Sequence, residues 1–304
     1  MPPNPLPEDV RRLLDERAAA RVERDYARAD ALRDRIAALG WEVQDAGGRS
    51  TARPILVAEP QADPIEEPAN VAASVQLAAE DHPVDLLRFL RGLAEHPPAT
   101  SWELVVVANA PAEPDADALA SVALPVEPVV LDSSERLGWA DARTLGMRHS
   151  HGAVTILLDT SLEPTGDFVA PLLATFDDPA VGIAGGWGVT SGDARQFDEA
   201  PPGPVDAVEA YCLAIRREAL RAVGGFDRRF RFYRNADLDL SFAVRDAGWT
   251  AVRTDPLPLA RHEHRGWTSL PEEERDRVSK RNFYRFLDRW GSRPDLLIHP
   301  DPHR

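Results

Sequence analysis

The chain has 304 residues, of which 43% are hydrophobic, so it can form one large domain with a proper core and a small appendage. Its formal net charge of -15 argues against nonspecific binding to nucleic acid, since phosphate contacts require concentrated Lys and Arg. Cys212 is the only cysteine, which excludes an internal disulfide, and the apolar runs are only of strand length, so we expect a cytoplasmic protein without a transmembrane span.

Residues 1–53 predict a small helical unit. Residues 8–39 carry apolar positions at helical spacing and indicate two helices, and Gly40 suits a left-handed cap that ends the second one. Residues 41–44 and 50–53 suggest a short β-hairpin. The expected apolar faces consist of Val10, Leu13, Leu14 and Val22 in the first helix and Leu32, Ile36 and Leu39 in the second.

Residues 54–70 predict a linker, because four prolines stand there among acidic residues and favour an extended, poorly packed connection. From residue 71 onward, apolar strands alternate with amphipathic helices, which indicates a mostly parallel α/β sheet flanked by helices. We expect this domain to cover residues 71–292 and to be followed by a tail at 293–304. The expected strands are 71–79, 103–108, 128–131, 154–158 and 181–184, and the expected helices are 84–94, 115–122, 137–150, 167–176 and 271–290.

An apolar strand with a terminal carboxylate marks the first candidate site. The run VTILLD ends at Asp159, and open α/β sheets bind ligands beyond the carboxyl ends of their strands. The stretch before it reads LGWADARTLGMRHSHGA and contains Arg143, while Ser161 and Glu163 follow. A strand-end carboxylate can also simply cap a turn, and this alternative for Asp159 stays open.

The second candidate site lies between Val205 and Trp267. Its sequence begins VDAVEAYCLAIRREALRAVGGFDRRFRFYRNADLDLSFAVRDAGW, which predicts a strand, a short helix, a Gly-Gly turn, an aromatic loop and an amphipathic helix. Asp237 and Asp239 open the last helix, where an acid can stabilise the N-terminus through the helix dipole, a role that fits Asp239 better than Asp237. A second strand then leads to RHEHRGW.

These motifs and their order resemble family-2 type glycosyltransferases over about residues 71–292. In that family GGFDE-x-F precedes an acidic E-D-x-D-L run, and N-x-G-x-A-x-A-R-N-x-G precedes a strand that ends in D-x-D. The resemblance implies a GT-A-type fold, a nucleotide-sugar donor, and a glycan, lipid or small molecule as acceptor. It also implies an inverting displacement with Asp237 as general base, and a divalent metal, Mn²⁺ or Mg²⁺, near Asp159.

The resemblance also implies which residues bind the metal and the donor. His262 and His264 would lie on the same side of a strand, where imidazole can join Asp159 and Ser161 as a metal ligand. Each histidine can alternatively be a packed polar residue. The residues expected to contact the donor are Asp81, Asn109, Arg143 and Asp159.

Aromatic residues near these motifs are candidates for stacking on the acceptor, with core packing as the alternative. Trp187 is favoured as a contact, because its surroundings, GGWG, leave the backbone too open for an ordinary core strand. The residues expected to bind the acceptor are Trp187, Tyr211, Tyr233 and Asp239.

Three positions depart from the family pattern. Ala108, Ser161 and Ala236 stand where the family usually carries an acid. The departures leave a second interpretation open, in which the chain is a noncatalytic binding or scaffold protein that retains the fold. Metal-dependent binding of a nucleotide sugar would distinguish the two.

The N-terminal unit carries a spaced pattern of Arg, Ala and Asp, which resembles the C-terminal helical tail of bacterial cysteinyl-tRNA synthetases. No HIGH-type or KMSKS-type sequence of a synthetase catalytic domain accompanies it. We expect a helical hairpin that docks on the main domain or on a partner. An RNA-associated function is a third alternative, disfavoured by the acidic charge. The matching residues are Arg17, Ala20, Arg21, Asp25, Ala29, Asp30, Arg33, Asp34 and Gly40.

Overall fold

The computed structural model describes residues 6–23, 25–39, 41–46, 49–54, 63–80, 82–110, 113–133 and 135–301. The chain divides into two compact units, Met1–Glu59 and Pro60–Arg304. Within the described ranges, none of the helices combines the length and the apolar character needed to cross a membrane. The predictions for Gly40 and Asp81 lie outside the described residues.

The first unit contains the expected pair of helices and a hairpin. Asp25 caps the second helix, because its side chain accepts a hydrogen bond of 3.0 Å from the backbone N–H of Arg28. Val22 is 84% exposed and Leu39 is 46% exposed, so the predicted apolar faces are wrong at these two positions, which lie at the helix ends. The elements are α1 (Glu8–Val22), α2 (Tyr26–Ala38) and the antiparallel strands β1 (Trp41–Ala46) and β2 (Arg49–Pro54).

The second unit alternates strands and helices. Its helices are α3 (Pro83–Glu95), α4 (Glu113–Ala120), α5 (Trp139–Arg148), α6 (Val169–Thr175), α7 (Arg217–Val223), α8 (Ala236–Asp246), α9 (Arg265–Thr268) and α10 (Glu272–Trp290). Its strands are β3 (Val71–Ala79), β4 (Trp102–Asn109), β5 (Val129–Ser133), β6 (Gly152–Leu158), β7 (Leu162–Pro164), β8 (Val181–Gly185), β9 (Gly188–Thr190), β10 (Asp198–Glu199), β11 (Gly203–Pro204), β12 (Ala207–Val208), β13 (Cys212–Arg216), β14 (Thr250–Arg253) and β15 (Leu259–Arg261).

The main sheet has eight strands in the described part of the chain, in the order β11-β14-β8-β13-β6-β3-β4-β5. Neighbours among β6, β3, β4 and β5 are parallel, as are β8 and β14. β13 lies antiparallel between β6 and β8. The predicted α/β architecture with a mostly parallel sheet and flanking helices is confirmed.

Apolar side chains cover both faces of this sheet. In β6, Ile156 packs in one buried cluster and the adjacent Leu157 in the other, as alternation along a strand requires. Cys212, in β13, belongs to the same cluster as Ile156, and burial raises the pKa of its thiol to about 12. The thiol therefore stays protonated at neutral pH.

The second half of the predicted linker is packed rather than loose. Pro64–Glu66 forms a short 3-10 helix in which Ile65 is buried. The buried Arg217 of α7 donates hydrogen bonds to the carbonyl oxygens of Glu67 (3.0 Å) and Ser150 (2.9 Å). The composition of the linker suggested that its backbone carbonyl groups would face water. Instead, a guanidinium group of the second unit donates hydrogen bonds to them.

The carboxyl ends of three parallel strands bring polar residues to one edge of the sheet. Glu80 follows β3, Asn109 ends β4, and Asp159 follows β6. Because the strands run parallel, these residues lie together although the sequence separates them widely. This edge is where ligands bind in open α/β sheets.

Candidate active site

Two adjoining cavities lie at this edge. The strand-end cleft, of about 340 Å³, is lined by residues that include Glu80, Asn109 and Asp159. The α8 pocket, of about 210 Å³, is lined by residues that include Asp159, Tyr211 and Asp237. A ligand in the cleft and a ligand in the pocket would therefore meet beside Asp159. The two cavities share Trp139, Asp159, Tyr233 and His264.

Asp159 is held by contacts from both sides of the site. Its Oδ1 accepts a hydrogen bond of 2.8 Å from the backbone N–H of Ser161, and its Oδ2 lies 3.2 Å from Nε2 of His264. Burial by itself would raise the pKa of Asp159, but the hydrogen bond from His264 and the positive charge of Arg143 outweigh it. The pKa of Asp159 is consequently held well below its usual range, and the carboxyl is ionised at neutral pH.

The two predicted histidines have different surroundings. Nδ1 of His264 accepts a hydrogen bond of 3.1 Å from the backbone N–H of Trp267, so Nε2 carries the proton that faces Asp159. His262 lies outside both cavities and pairs with Glu163 at 2.7 Å. β15 ends before either histidine, so strand alternation does not apply. Of the two histidines, the structure therefore brings His264 to Asp159 and His262 to Glu163.

Two more predicted residues stand in the wall of the strand-end cleft. Arg143, on α5, is buried and donates a hydrogen bond of 3.3 Å to the carbonyl of Leu158, while its guanidinium lies 5.6 Å from the ring centre of Trp139. Ser161 is also buried, and its Oγ has no hydrogen-bond partner among the described residues. This orphaned oxygen borders a cavity that already contains an ionised carboxylate.

Asn109 is fixed by protein partners on both sides of its amide. Its Nδ2 donates to Glu80 (2.8 Å), and its Oδ1 accepts from the backbone N–H of Leu137 (2.7 Å). The amide therefore ties the ends of β3 and β4 to the segment that precedes α5. Asn109 and Glu80 both line the strand-end cleft, so this network shapes the floor of that cavity.

Asp237 is the second residue of α8 and faces the α8 pocket. Its Oδ2 accepts a hydrogen bond of 3.1 Å from the backbone N–H of Ala210, and its Oδ1 accepts one of 3.0 Å from Leu238. Burial raises the pKa of Asp237, against the opposing effect of these hydrogen bonds and of Arg234. A half-buried carboxylate with a raised pKa is well suited to accept a proton.

Asp239 does not reach the pocket, contrary to the expectation that it binds the acceptor. Its side chain is buried, and its carboxylate accepts hydrogen bonds from Nε1 of Trp290 (2.8 Å) and from Arg289 (3.0 Å). Side chains two positions apart in a helix point to different faces of that helix. Asp239 therefore ties α8 to α10, whereas Asp237 faces the cavity.

Aromatic side chains form one side of the α8 pocket. Tyr233 stacks on His264 with ring centres 4.5 Å apart, and Tyr211 meets the same imidazole edge-on at 5.7 Å. Trp187 packs edge-on behind Tyr211 at 6.0 Å and does not line the pocket. Trp187 therefore supports the ring of Tyr211 from behind, and it does not make the direct acceptor contact that the sequence suggested.

α10 holds the aromatic loop in position. The buried Asn282 donates hydrogen bonds to the carbonyl oxygens of Phe232 (2.8 Å) and Arg234 (2.9 Å), on either side of Tyr233. Satisfied backbone carbonyls fix the loop, and with it the ring of Tyr233 at the junction of the two cavities.

Several lining residues were not singled out from the sequence. Glu209 borders the α8 pocket. The sequence could have indicated it, because its carboxylate interrupts the otherwise apolar run at 207–215 that leads into β13. The arginines of the cleft come from separate segments, so no local pattern groups them. Further lining residues of this kind include Glu80, Arg136, Trp139, Arg231, Arg234 and Arg265.

The model of the glycosyl transferase family 2 matches residues 80–255, more than half of the chain, and the chain belongs to that family. A second family model, the cysteinyl-tRNA ligase anticodon binding domain, matches residues 4–53. The two resemblances inferred from motifs are thereby confirmed.

The chain is similar to the pre-mycofactocin glycosyltransferase of Mycobacterium tuberculosis, with 28% identity over 191 residues that cover 57% of this chain and 38% of that protein. It thus spans less than two fifths of that relative. Its N-terminal part is similar to cysteine–tRNA ligase 1 of Burkholderia lata, with 44% identity over 61 residues that cover 19% of this chain and 13% of that protein. The solved structure of GalNAc-T7 with UDP, GalNAc and Mn²⁺ shares the fold, with a TM-score of 0.58, 16% identity, and coverage of 74% of this chain and 50% of that one.

Proposed function

We propose that the protein transfers a sugar from a nucleotide-sugar donor to a hydroxyl group of an acceptor, in a single displacement that inverts the anomeric carbon. The observation that carries this proposal is that Asp159 and Asp237, which come from different halves of the domain, line one pocket. Membership of the glycosyl transferase family 2 and the likeness to a glycosyltransferase support the class of reaction.

The strand-end cleft is the proposed donor site. Its walls carry several guanidinium groups, which recognise phosphate oxygens through paired hydrogen bonds. Asn109 and Glu80 shape the floor near the strand ends, and Asp81, the next residue along the chain, stays a predicted donor contact. The arginines that line the cleft are Arg136, Arg143, Arg231 and Arg265.

A divalent metal fits the donor atoms beside Asp159. The described residues contain no group of three or more His, Cys, Asp or Glu side chains that could hold a metal by themselves. Asp159 would supply a carboxylate, and the orphaned Oγ of Ser161 would supply a neutral oxygen. His264 would supply Nε2 of a neutral imidazole once its proton has moved to Nδ1, which then gives up the hydrogen bond from Trp267. Diphosphate oxygens and water would complete the shell, as is usual for Mg²⁺. The bound ion would neutralise charge on the diphosphate, and the related GalNAc-T7 structure contains UDP and Mn²⁺.

Asp237 acts as the general base in this proposal. Its carboxylate takes the proton of the acceptor hydroxyl while that oxygen forms a bond to the anomeric carbon. The bond between this carbon and the diphosphate oxygen breaks, and the diphosphate departs with the electron pair. Tyr211 and Tyr233 flank the acceptor, and Arg143 faces the charge that develops on the leaving group.

Turnover of donor tests the proposal. Purified protein is incubated with a panel of UDP- and GDP-sugars, Mn²⁺ or Mg²⁺, and mixed glycan, lipid and small-molecule acceptors. We expect release of the nucleoside diphosphate with at least one donor, and donor affinity that depends on metal in calorimetry. A protein that shows neither would instead match the noncatalytic alternative.

A further inference from the structure

The α8 pocket contains a carboxylate that the proposed chemistry does not use. Glu209 is half-buried and lines the pocket together with Asp237. Its backbone N–H donates to the carbonyl of Trp187 (3.0 Å), and the N–H of the next residue, Ala210, donates to Oδ2 of Asp237 (3.1 Å). The backbone thus holds Glu209 next to the proposed base.

The Glu209 carboxylate has no hydrogen-bond donor among the residues that the structure describes. Its two nearby cations lie over aromatic rings: the Arg261 guanidinium is 3.9 Å from the ring centre of Tyr211, and that of Arg234 is 5.2 Å from Trp267. Burial, and after it the charge of Asp237, raises the pKa of Glu209. A carboxylate in such surroundings gains stability from a ligand that donates a hydrogen bond.

The charges around the pocket favour a neutral ligand over an anionic one. Three carboxylates, those of Asp159, Glu209 and Asp237, border it. The facing cations are Arg234 in the described lining and Arg261 over the ring of Tyr211, while the His264 imidazole already faces Asp159. A phosphate brought beside Glu209 and Asp237 would meet like charges in a partly desolvated site.

The remaining walls and the size of the pocket suit one sugar ring. Tyr211, Tyr233 and Trp139 line the pocket with aromatic rings that combine an apolar body with a polar edge. The volume of about 210 Å³ is below the range of about 300–1,000 Å³ that is usual for drug-sized ligands. A single ring fits this description better than an extended chain.

We propose that Glu209 is an acceptor-binding residue, which accepts a hydrogen bond from a second hydroxyl of a neutral sugar ring while Asp237 takes the proton of the attacking hydroxyl. This inference rests on the proposed function and narrows the acceptor to an uncharged, polyhydroxylated ring. Glu209 thereby determines acceptor specificity and orientation, whereas Asp237 carries out the proton transfer.

The test compares acceptor use by the wild-type chain and by Glu209→Gln, with nucleoside diphosphate release as the readout. The probes are methyl glucoside, methyl mannoside and methyl galactoside, each paired with the corresponding hexose 6-phosphate. We expect the wild type to prefer the neutral glycosides. Glu209→Gln keeps an acceptor oxygen but loses the charge, so it should raise the KM for the neutral acceptor by about tenfold, the difference between a hydrogen bond to a charged group and one to a neutral group, and should weaken the discrimination against phosphates. The donor KM should not change, because Glu209 does not line the strand-end cleft.

Glu218→Gln is the matched control, since Glu218 is exposed on α7 and lines neither cavity. An acceptor KM that is unchanged in Glu209→Gln, a preference for phosphorylated acceptors, or donor hydrolysis without transfer to any neutral glycoside overturns the inference. These outcomes leave the proposed function standing. A wild-type protein that consumes no nucleotide sugar overturns the proposed function and this inference with it.

Discussion

Replacing Asp237 with Asn removes the proposed base with little change in shape. The single oxygen of the Asn amide can accept the hydrogen bond from Ala210, which is 3.1 Å long in the wild type, but not also the one from Leu238. Asp237 forms no ion pair within the described residues. Relief from burying its charge, which raises its pKa, offsets the loss of the Leu238 bond and of the contact with the helix dipole, which contributes about 0.3–1 kcal/mol. Because a positioned base contributes about 10²–10⁴-fold to the rate, we expect Asp237→Asn to lower kcat by that factor with only a small change in melting temperature.

Asp239→Asn is the matched control on the same helix. The Asp239 carboxylate accepts hydrogen bonds from Trp290 at 2.8 Å and from Arg289 at 3.0 Å, and the amide oxygen can fully replace only one of these contacts. A hydrogen bond to a charged group contributes about 1.5–3 kcal/mol, and the 41% exposure of the Arg289 side chain favours the lower end. At about 2–4 °C per kcal/mol for a domain of this size, the melting temperature should fall by about 3–6 °C. Turnover of the folded fraction should be retained.

The assay measures nucleoside diphosphate release at saturating donor and acceptor, together with thermal melting and donor affinity by calorimetry. The expected pattern is reciprocal: Asp237→Asn loses turnover and keeps both stability and donor binding, whereas Asp239→Asn loses stability and keeps turnover. Wild-type turnover in Asp237→Asn would refute the assignment of the base. A loss of turnover in Asp239→Asn without a change in melting temperature would refute the separation of roles along α8.

Three other predictions concern pH, metal and the N-terminal unit. Because burial raises the pKa of Asp237, and the base acts only when ionised, kcat/KM should fall on acidification with a midpoint above the ordinary aspartate value of 3.8, as a pH profile can show. His264→Ala should raise the Mn²⁺ concentration for half-maximal activity by at least about tenfold, whereas His262→Ala should not, and equal effects of both would contradict the site. Deleting Met1–Glu59 should leave the donor KM and kcat unchanged, because every lining residue of both cavities belongs to the second unit, and a lost activity in a deletion that still melts cooperatively would disprove this.

Local patterns were sufficient to predict most of the fold. Hydrophobic periodicity located the strands β3, β4 and β6 and the helix α10 to within a few residues, because the spacing of buried side chains reflects the geometry of each element. The errors occurred at ends and connections. Val22 and Leu39 are exposed where their helices end, and the linker at Pro64–Glu66 is packed because Arg217 and Arg221 bind its carbonyl oxygens.

The sequence by itself determined the family, the order of the elements and the presence of acids at Asp159 and Asp237. Only the tertiary structure decided which neighbouring side chains share their cavity. It placed Asp237 in the α8 pocket and Asp239 against α10, and it gave His264 and His262 different carboxylate partners. It also brought Glu209 to the α8 pocket. The physical reason is that spacing specifies the face of an element, whereas burial, charge and hydrogen bonding depend on what packs against that face.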